Sequence, residues 1–174
     1  MTLFNSLKRK AIQKQTRQLL QHRDTSHIND PLQTLGFLVD ERVFKDLEPL
    51  QECWQFFGLQ PKDVKVFSYL EVKKSAPSLR SNQMTNKDVT WKGVISNVNA
   101  VEFLERPFDV LVGYYSGSHP LLDLLMSKSK AKFKVGCQDA TPGVFDLIID
   151  MSPLEHASYL EELKKYLIVL NKLK

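Results

Sequence analysis

The block Phe108-Asp-Val-Leu-Val-Gly-Tyr-Tyr-Ser-Gly-Ser-His-Pro120 constrains the fold more than any other part of the chain. An apolar run of strand length meets a small polar turn, and Leu121, Leu122, Leu125 and Met126 open a helical pattern at once. Strand, tight turn and helix in direct succession form the repeating unit of α/β folds. The pattern predicts a strand over 108–115 and a helix over 119–129.

The rest of the chain repeats this alternation. Thr34-Leu-Gly-Phe-Leu-Val39 reads as a buried strand. Asp46 is placed to cap a helix whose stripe is Leu47, Leu50, Cys53, Trp54 and Phe57, with Gly58 ending it. Val64-Lys-Val-Phe-Ser-Tyr69 is a second strand, and the link from the first is long enough for a parallel crossover. Residues 71–90 are polar and read as a long surface loop, and 91–95 as a short strand or an anchor returning that loop to the body. A helical turn over 99–105 is stopped by Pro107. Strands are predicted over 132–136 and 145–150. In the first, the alternation turns Lys132 and Lys134 outward and Phe133 and Val135 inward. The link between these two strands is too short for a helix, so they are either parallel across a bare loop or one is antiparallel. Ser152-Pro-Leu-Glu155 has the form of a capping box, and Leu160, Leu163, Leu167 and Leu170 give the last helix one packing face.

Charge divides the chain unevenly. Lys8, Arg9, Lys10, Lys14, Arg17 and Arg23 lie within residues 1–23, which contain no acid, while 24–174 hold 18 basic against 20 acidic residues. The expected organisation is a basic helical arm and linker over 1–31, then one α/β domain over 32–174. That domain is expected to have three layers and about five mostly parallel strands, closed by a long C-terminal helix. No apolar run approaches the ~20 residues that span a bilayer. Leu3 and Phe4 are followed by Lys8, Arg9 and Lys10 without the apolar core of an export signal. Cys53 and Cys137 stand far apart in no metal-ligand spacing, and read as free buried thiols of a cytoplasmic protein.

In an open parallel sheet, ligands bind beyond the carboxyl ends of the strands. The expected site therefore combines Ser116, Gly117, Ser118 and His119 with Asp40 and Asp150, the polar ends of three strands. Gly117 permits the turn, and the helix start with its serine hydroxyls suits a phosphate or carboxylate. The same residues have a purely structural reading, in which Ser118 is an N-cap and Pro120 a first-turn proline. The loop has neither the glycine fingerprint of a dinucleotide site nor the lysine-serine pair of a phosphate loop. His119 is the candidate general base. His22, His27 and His156 complete the histidines, with no ligand spacing, so no metal is expected, and no cofactor is indicated.

The basic N-terminal helix, Phe108-Asp-Val-Leu-Val, Ala131-Lys-Phe-Lys-Val-Gly136, Phe145-Asp-Leu-Ile-Ile-Asp150 and Lys165-Tyr-Leu-Ile-Val-Leu-Asn-Lys172 together resemble a small bacterial family of unknown function, over nearly the whole chain. The resemblance implies no activity. A shorter pattern, Phe108-Asp-Val-Leu-Val with Ser118, Leu121, Leu125 and Ala131 to Gly136, resembles the acceptor half of heptosyltransferase-type glycosyltransferases. Three readings of function follow. The first is a non-catalytic binding or interaction protein with an anion or phosphate site after strand 108–115. The second is an enzyme acting on a phosphorylated or sugar-nucleotide substrate at the same edge. The third is a protein that meets RNA or an anionic membrane through Lys8, Arg9, Lys10, Lys14, Arg17 and Arg23.

Overall fold

The computed structural model describes residues 3–73 and 78–174. Its strands, β1 (Leu35–Asp40), β2 (Val64–Leu70), β3 (Gln83–Thr85), β4 (Val110–Tyr114), β5 (Phe133–Gly136) and β6 (Leu147–Ile148), form one sheet in the order β3-β2-β1-β4-β5-β6. Every pairing is parallel. This is the order of the doubly wound Rossmann sheet, whose connections diverge on either side of β1 and β4.

Five helices cover the sheet. α1 (Leu3–Gln21), α3 (Val98–Glu105) and α4 (Pro120–Lys128) lie on one face, and α2 (Glu48–Glu52) and α5 (His156–Val169) on the other. Alternation along the strands feeds both layers. Leu38, Phe67 and Leu111 enter the core beneath α3 and α4, while Phe37, Val39, Val66 and Val112 enter the core beneath α2 and α5. Ile12 of α1 is buried in the first of these cores, so the basic helix is itself a layer of the sandwich. Among the described residues no helix is long and apolar enough to cross a membrane.

The amino ends of the central strands are joined by one buried carboxylate. Asp109, 5% exposed, accepts from the Gln33 and Thr34 backbone N–H groups and the Thr34 hydroxyl through Oδ2, at 3.0, 2.9 and 3.0 Å. Its Oδ1 takes the Lys132 ammonium at 2.8 Å, and that ammonium also pairs with Asp30 at the same distance. The segment before β1, the start of β4 and the start of β5 thus share a single anchor.

The bare link between β5 and β6 is a parallel crossover without a helix. Phe145, carried by that link, lies on the sheet where a helix would otherwise pack. A Cβ at Gly113 would come within 2.8 Å of its ring and one at Gly136 within 2.9 Å, so the two glycines make the space.

Several local expectations are corrected. Lys134 points inward and is 0% exposed, because both faces of the sheet are covered and a side chain leaving one core enters the other. Its Nζ donates to the Met126 carbonyl at 2.6 Å, near the C-terminus of α4, where carbonyls lack helical partners. The helix expected from Asp46 is limited to α2 and continues as turns to Gly58. Leu47, Leu50, Cys53 and Phe57 are nevertheless buried, since burial requires their positions and not an unbroken helical ladder. Asp46 accepts from the Glu48 N–H at 3.2 Å, although Leu47 is the N-cap. The polar stretch 71–90 contains β3, which pairs with β2 through Ser68, Tyr69 and Leu70; residues 74–77 lie outside the described residues. Segment 91–95 is not a strand: a single antiparallel bridge joins Val89 to Ile95, and Trp91 is exposed. No capping box forms at Ser152. Its hydroxyl accepts from Leu154 N at 3.2 Å, and α5 starts later, where the Tyr114 hydroxyl donates to the Pro153 carbonyl at 2.9 Å and meets His156 Nδ1 at 3.0 Å.

Two expectations follow. Asp109→Ala strands the Lys132 ammonium and the Gln33 and Thr34 donors, and lowers stability by about 3–5 kcal/mol in urea melts. A loss under about 1 kcal/mol would remove Asp109 as the anchor. Burial pushes the Lys134 amine from 10.5 down to about 7. Between those values the unfolded chain holds a proton that the native chain has lost, so stability attributable to this residue rises with pH. Wild type therefore gains on Lys134→Met as pH rises from about 7 towards 10, and parallel pH profiles in urea melts would contradict this.

Candidate functional site

The strand order places the divergence of connections at the carboxyl ends of β1 and β4. Register fixes which residues meet there. Asp40 is level with Tyr69 across β1 and β2, and Val39 is level with Tyr114 across β1 and β4.

Asp40 is buried at the end of β1 and turns back on its own connection. It accepts from the Arg42 backbone N–H at 3.0 Å and from the Arg42 guanidinium at 2.8 and 3.1 Å. Arg42 also pairs with Glu71, just past β2, so its half-exposed side chain is held between two carboxylates. Glu41 faces the sheet edge instead, accepting from Ser68, Arg80 and Gln83 and tying β1 to β2 and β3.

At the end of β4, Gly117 adopts φ +72°, the left-handed conformation that glycine takes without strain. Ser116 and Ser118 are exposed on either side of it. The Gly117 N–H donates to the Gln138 carbonyl at 3.0 Å and is engaged within the fold. Ser118 does not cap α4; His119 does, through Nδ1, which accepts the Leu122 N–H at 3.1 Å. Pro120 brings no N–H, so the helix start offers a ligand fewer backbone donors than its sequence promised.

The His119 ring joins the strand ends. Its centroid lies 5.2 Å from that of Tyr69, edge-on, and 6.3 Å from that of Tyr115. Burial pulls the imidazole below its ordinary value, and the Arg42 charge pulls the same way, against Asp40, Asp123 and Glu71. With Nδ1 accepting from the backbone, the neutral ring carries its proton on Nε2. His119 is thereby a fixed hydrogen-bond donor.

Beneath it, buried Asp123 accepts from the Tyr115 hydroxyl at 2.8 Å and the Thr141 hydroxyl at 2.7 Å. Burial raises its carboxyl above the ordinary value, and these two hydrogen bonds oppose the rise. A cavity of about 180 Å³ opens beside it, lined by Ser118, Pro120, Asp123 and Thr141 and by Thr16 and Arg17 of α1.

Ser116, Gly117, Ser118 and His119 are contiguous, and the electrostatic influence of Asp40 reaches His119. Asp150 is placed elsewhere: it is exposed beyond β6, with the Gln138 segment between it and the loop, since Gln138 N–H bonds the Met151 carbonyl at 3.0 Å and its own carbonyl holds Gly117. Sequence reading did not assign Arg42, Tyr69, Glu71 or Asp123 to the site. The spacing of Asp40 and Arg42 signals a local ion pair, and Asp123 stands one helical turn after His119. Nothing in the sequence brings Glu71 to Arg42.

Where a dinucleotide fold has its glycine-rich turn after the first strand, this chain has Asp40 and Glu41. Among the described residues no group of three or more His, Cys, Asp or Glu side chains could hold a metal ion. Burial pushes both Cys53 and Cys137 up to about 12, which makes them poor nucleophiles.

Because His119 is lowered, the unfolded chain takes up a proton near pH 6.5 before the native chain does, and stability falls as pH drops through that region. His119→Asn keeps a capping oxygen and removes the titration. Thermal melts at mildly acidic and neutral pH are expected to show a smaller acid loss in the variant; equal losses would mean that the ring is not desolvated.

The comparisons agree with the longer of the two resemblances. No curated protein and no solved structure matches the chain, so the local likeness to heptosyltransferase-type enzymes gains no support. A family model described as a family of unknown function, DUF6913, matches residues 8–170, nearly the whole α/β sandwich including most of α1. The chain belongs to that family.

Proposed function

We propose that this protein binds a small anionic molecule, a phosphate ester or carboxylate, at the crevice between the ends of β1 and β4, without transforming it. The observation that carries this reading is His119, whose ring meets Tyr69 and Tyr115 and feels the charges of Arg42 and Asp40. One side chain thus touches the end of β2 and the residue just past β4, within electrostatic reach of the end of β1, where sheets of this order bind ligands.

The donors for an anion are the Arg42 guanidinium, the His119 Nε2–H and the hydroxyls of Ser116 and Ser118. Asp40 and Glu71 orient Arg42, and its half-exposed side chain still presents N–H groups outward. Acid–base turnover is disfavoured by the same ring. Its Nδ1 is engaged by Leu122, so it offers a proton donor and no free basic nitrogen. The buried thiols supply no alternative nucleophile.

The test is a thermal-shift titration of the full chain against nucleotides, sugar nucleotides, sugar phosphates and inorganic phosphate. A true ligand at a hundredfold excess over its dissociation constant stabilises the native state by about 2.7 kcal/mol. The expected result is a dose-dependent rise with one phosphorylated class, lost in Arg42→Ala and reduced when Ser116 and Ser118 are both changed to Ala. A flat response across the panel, or a rise that survives Arg42→Ala unchanged, rejects the reading.

A further inference from the structure

The cavity beside Asp123 is walled on one side by α1. Gln13, Thr16, Arg17 and Leu20, spaced three and four residues apart, form one stripe of that helix and line the cavity together with Ser118 and Asp123. Other cations of the arm serve the fold. Lys8 is tied to the Val89 carbonyl at 2.9 Å, and Arg23 is held by Asp146 through two 2.7 Å hydrogen bonds. Arg17 is exposed. Among the described residues its guanidinium, the Gln13 amide and the Ser118 hydroxyl have no hydrogen-bond partner. Three open polar groups thus line one cavity. Ser118 joins that cavity to the crevice: it precedes His119, whose ring feels the Arg42 charge, and it shares the cavity with Arg17.

The lining is suited to hydroxyl groups. Asp123 Oδ1 and Oδ2 each accept one hydroxyl proton, from Tyr115 and Thr141 at 2.8 and 2.7 Å, and each oxygen keeps a lone pair. The Thr16 hydroxyl donates to the Ile12 carbonyl at 3.0 Å, which leaves its oxygen to accept. Acceptors held in this way attract hydroxyls and repel a second anion. Gln13 and Arg17 supply the matching donors. Leu20, Pro120 and Val144 give an apolar wall on which a carbon skeleton packs. At about 180 Å³ the cavity is slightly larger than one of ~150 Å³ that holds benzene, so it takes a body of about three to six carbons and not a nucleoside.

We propose that the anion bound at this site is the phosphate of a small sugar or polyol, whose hydroxylated body lies in the cavity between α1 and the start of α4, against Gln13, Arg17 and Asp123. The inference rests on the reading of the crevice given above and narrows its ligand to a hydroxylated phosphate ester. It also gives the basic helix a part in recognition. Arg42, His119 and the loop hydroxyls hold the phosphate, and α1 supplies the contacts that tell the ester from bare phosphate.

The experiment is isothermal titration calorimetry of the full chain with the phosphate monoesters of glycerol, ribose and glucose, with free ribose and glucose, and with inorganic phosphate. At least one ester is expected to bind about tenfold or more tightly than inorganic phosphate, the difference that one or two added hydrogen bonds make. Gln13→Ala combined with Arg17→Ala should bring that ratio close to one, while Arg42→Ala weakens ester and inorganic phosphate alike. Alanine is the strongest helix former, and neither replaced side chain makes a hydrogen bond among the described residues, so α1 persists in the variant. Arg17→Glu alone, at an exposed position, keeps the test decisive if the double variant loses its circular dichroism signature. Esters that bind no better than inorganic phosphate, or a ratio that survives the α1 variants, overturn this inference and leave the anion crevice standing. A free sugar that binds as tightly as its ester also overturns it, because the cavity then acts without the phosphate. Absence of binding by every probe, or binding indifferent to Arg42→Ala, rejects the crevice itself and the inference with it.

Discussion

The clasp made by Asp109 is the interaction on which the rest of the architecture depends. A parallel sheet has no hairpins to set its register, so strands that follow one another by long connections must be aligned by other means. Here one carboxylate holds the two residues before β1 and, through Lys132, the start of β5, while it stands itself at the start of β4. Aligning the amino ends of these strands fixes how far their carboxyl ends project. Asp40, Tyr114 and the loop around Gly117 therefore meet at one level because of a contact at the other end of the sheet.

The parts of the fold legible in the sequence are those in which a residue's neighbours in space are its neighbours in the chain. The runs that became β1, β2 and β4 are apolar on both sides, as strands buried between two helical layers must be. Lys134 misleads for the same reason. Alternation assigns a lysine to solvent only where one face of a sheet is wet, and here its amine reaches the end of α4 instead. The six strands exceed the expected five because β3 is three residues long and buried by pairing with β2, which no local pattern in a polar stretch announces. Caps were misplaced where tertiary hydrogen bonds compete: Tyr114 draws the turn before α5 to itself, and His119 outreaches Ser118 at α4.

The candidate site divides along similar lines. Ser116 to His119 could be found because a strand, a glycine turn and a helix are contiguous. Asp40 could be found because it ends a strand, but its engagement with Arg42 and Glu71 depends on β1 and β2 lying side by side. Asp150 ends a strand equally well and is separated from the loop by the Gln138 segment, an outcome decided by strand order. The basic character of residues 1–23 was plain from the start. Its distribution was not: Arg23 and Lys8 serve the fold, while the remaining cations are left on the surface.

The contact of Phe145 with Gly113 and Gly136 has a consequence for how this sequence can vary. Between β1 and β2, β3 and β4, and β4 and β5 the connection carries a helix that covers the sheet through several side chains. The link between β5 and β6 carries none, and its Phe145 ring lies against two strand positions that lack side chains, together with Tyr115 at Gly113 and Ala140 at Gly136. Positions 113, 136 and 145 are therefore coupled, and through the glycines 115 and 140 join them. A smaller residue at 145 does not by itself admit a side chain at either glycine, because a Cβ at 113 would still lie 2.9 Å from the Tyr115 ring and one at 136 would still lie 2.9 Å from the Ala140 Cβ.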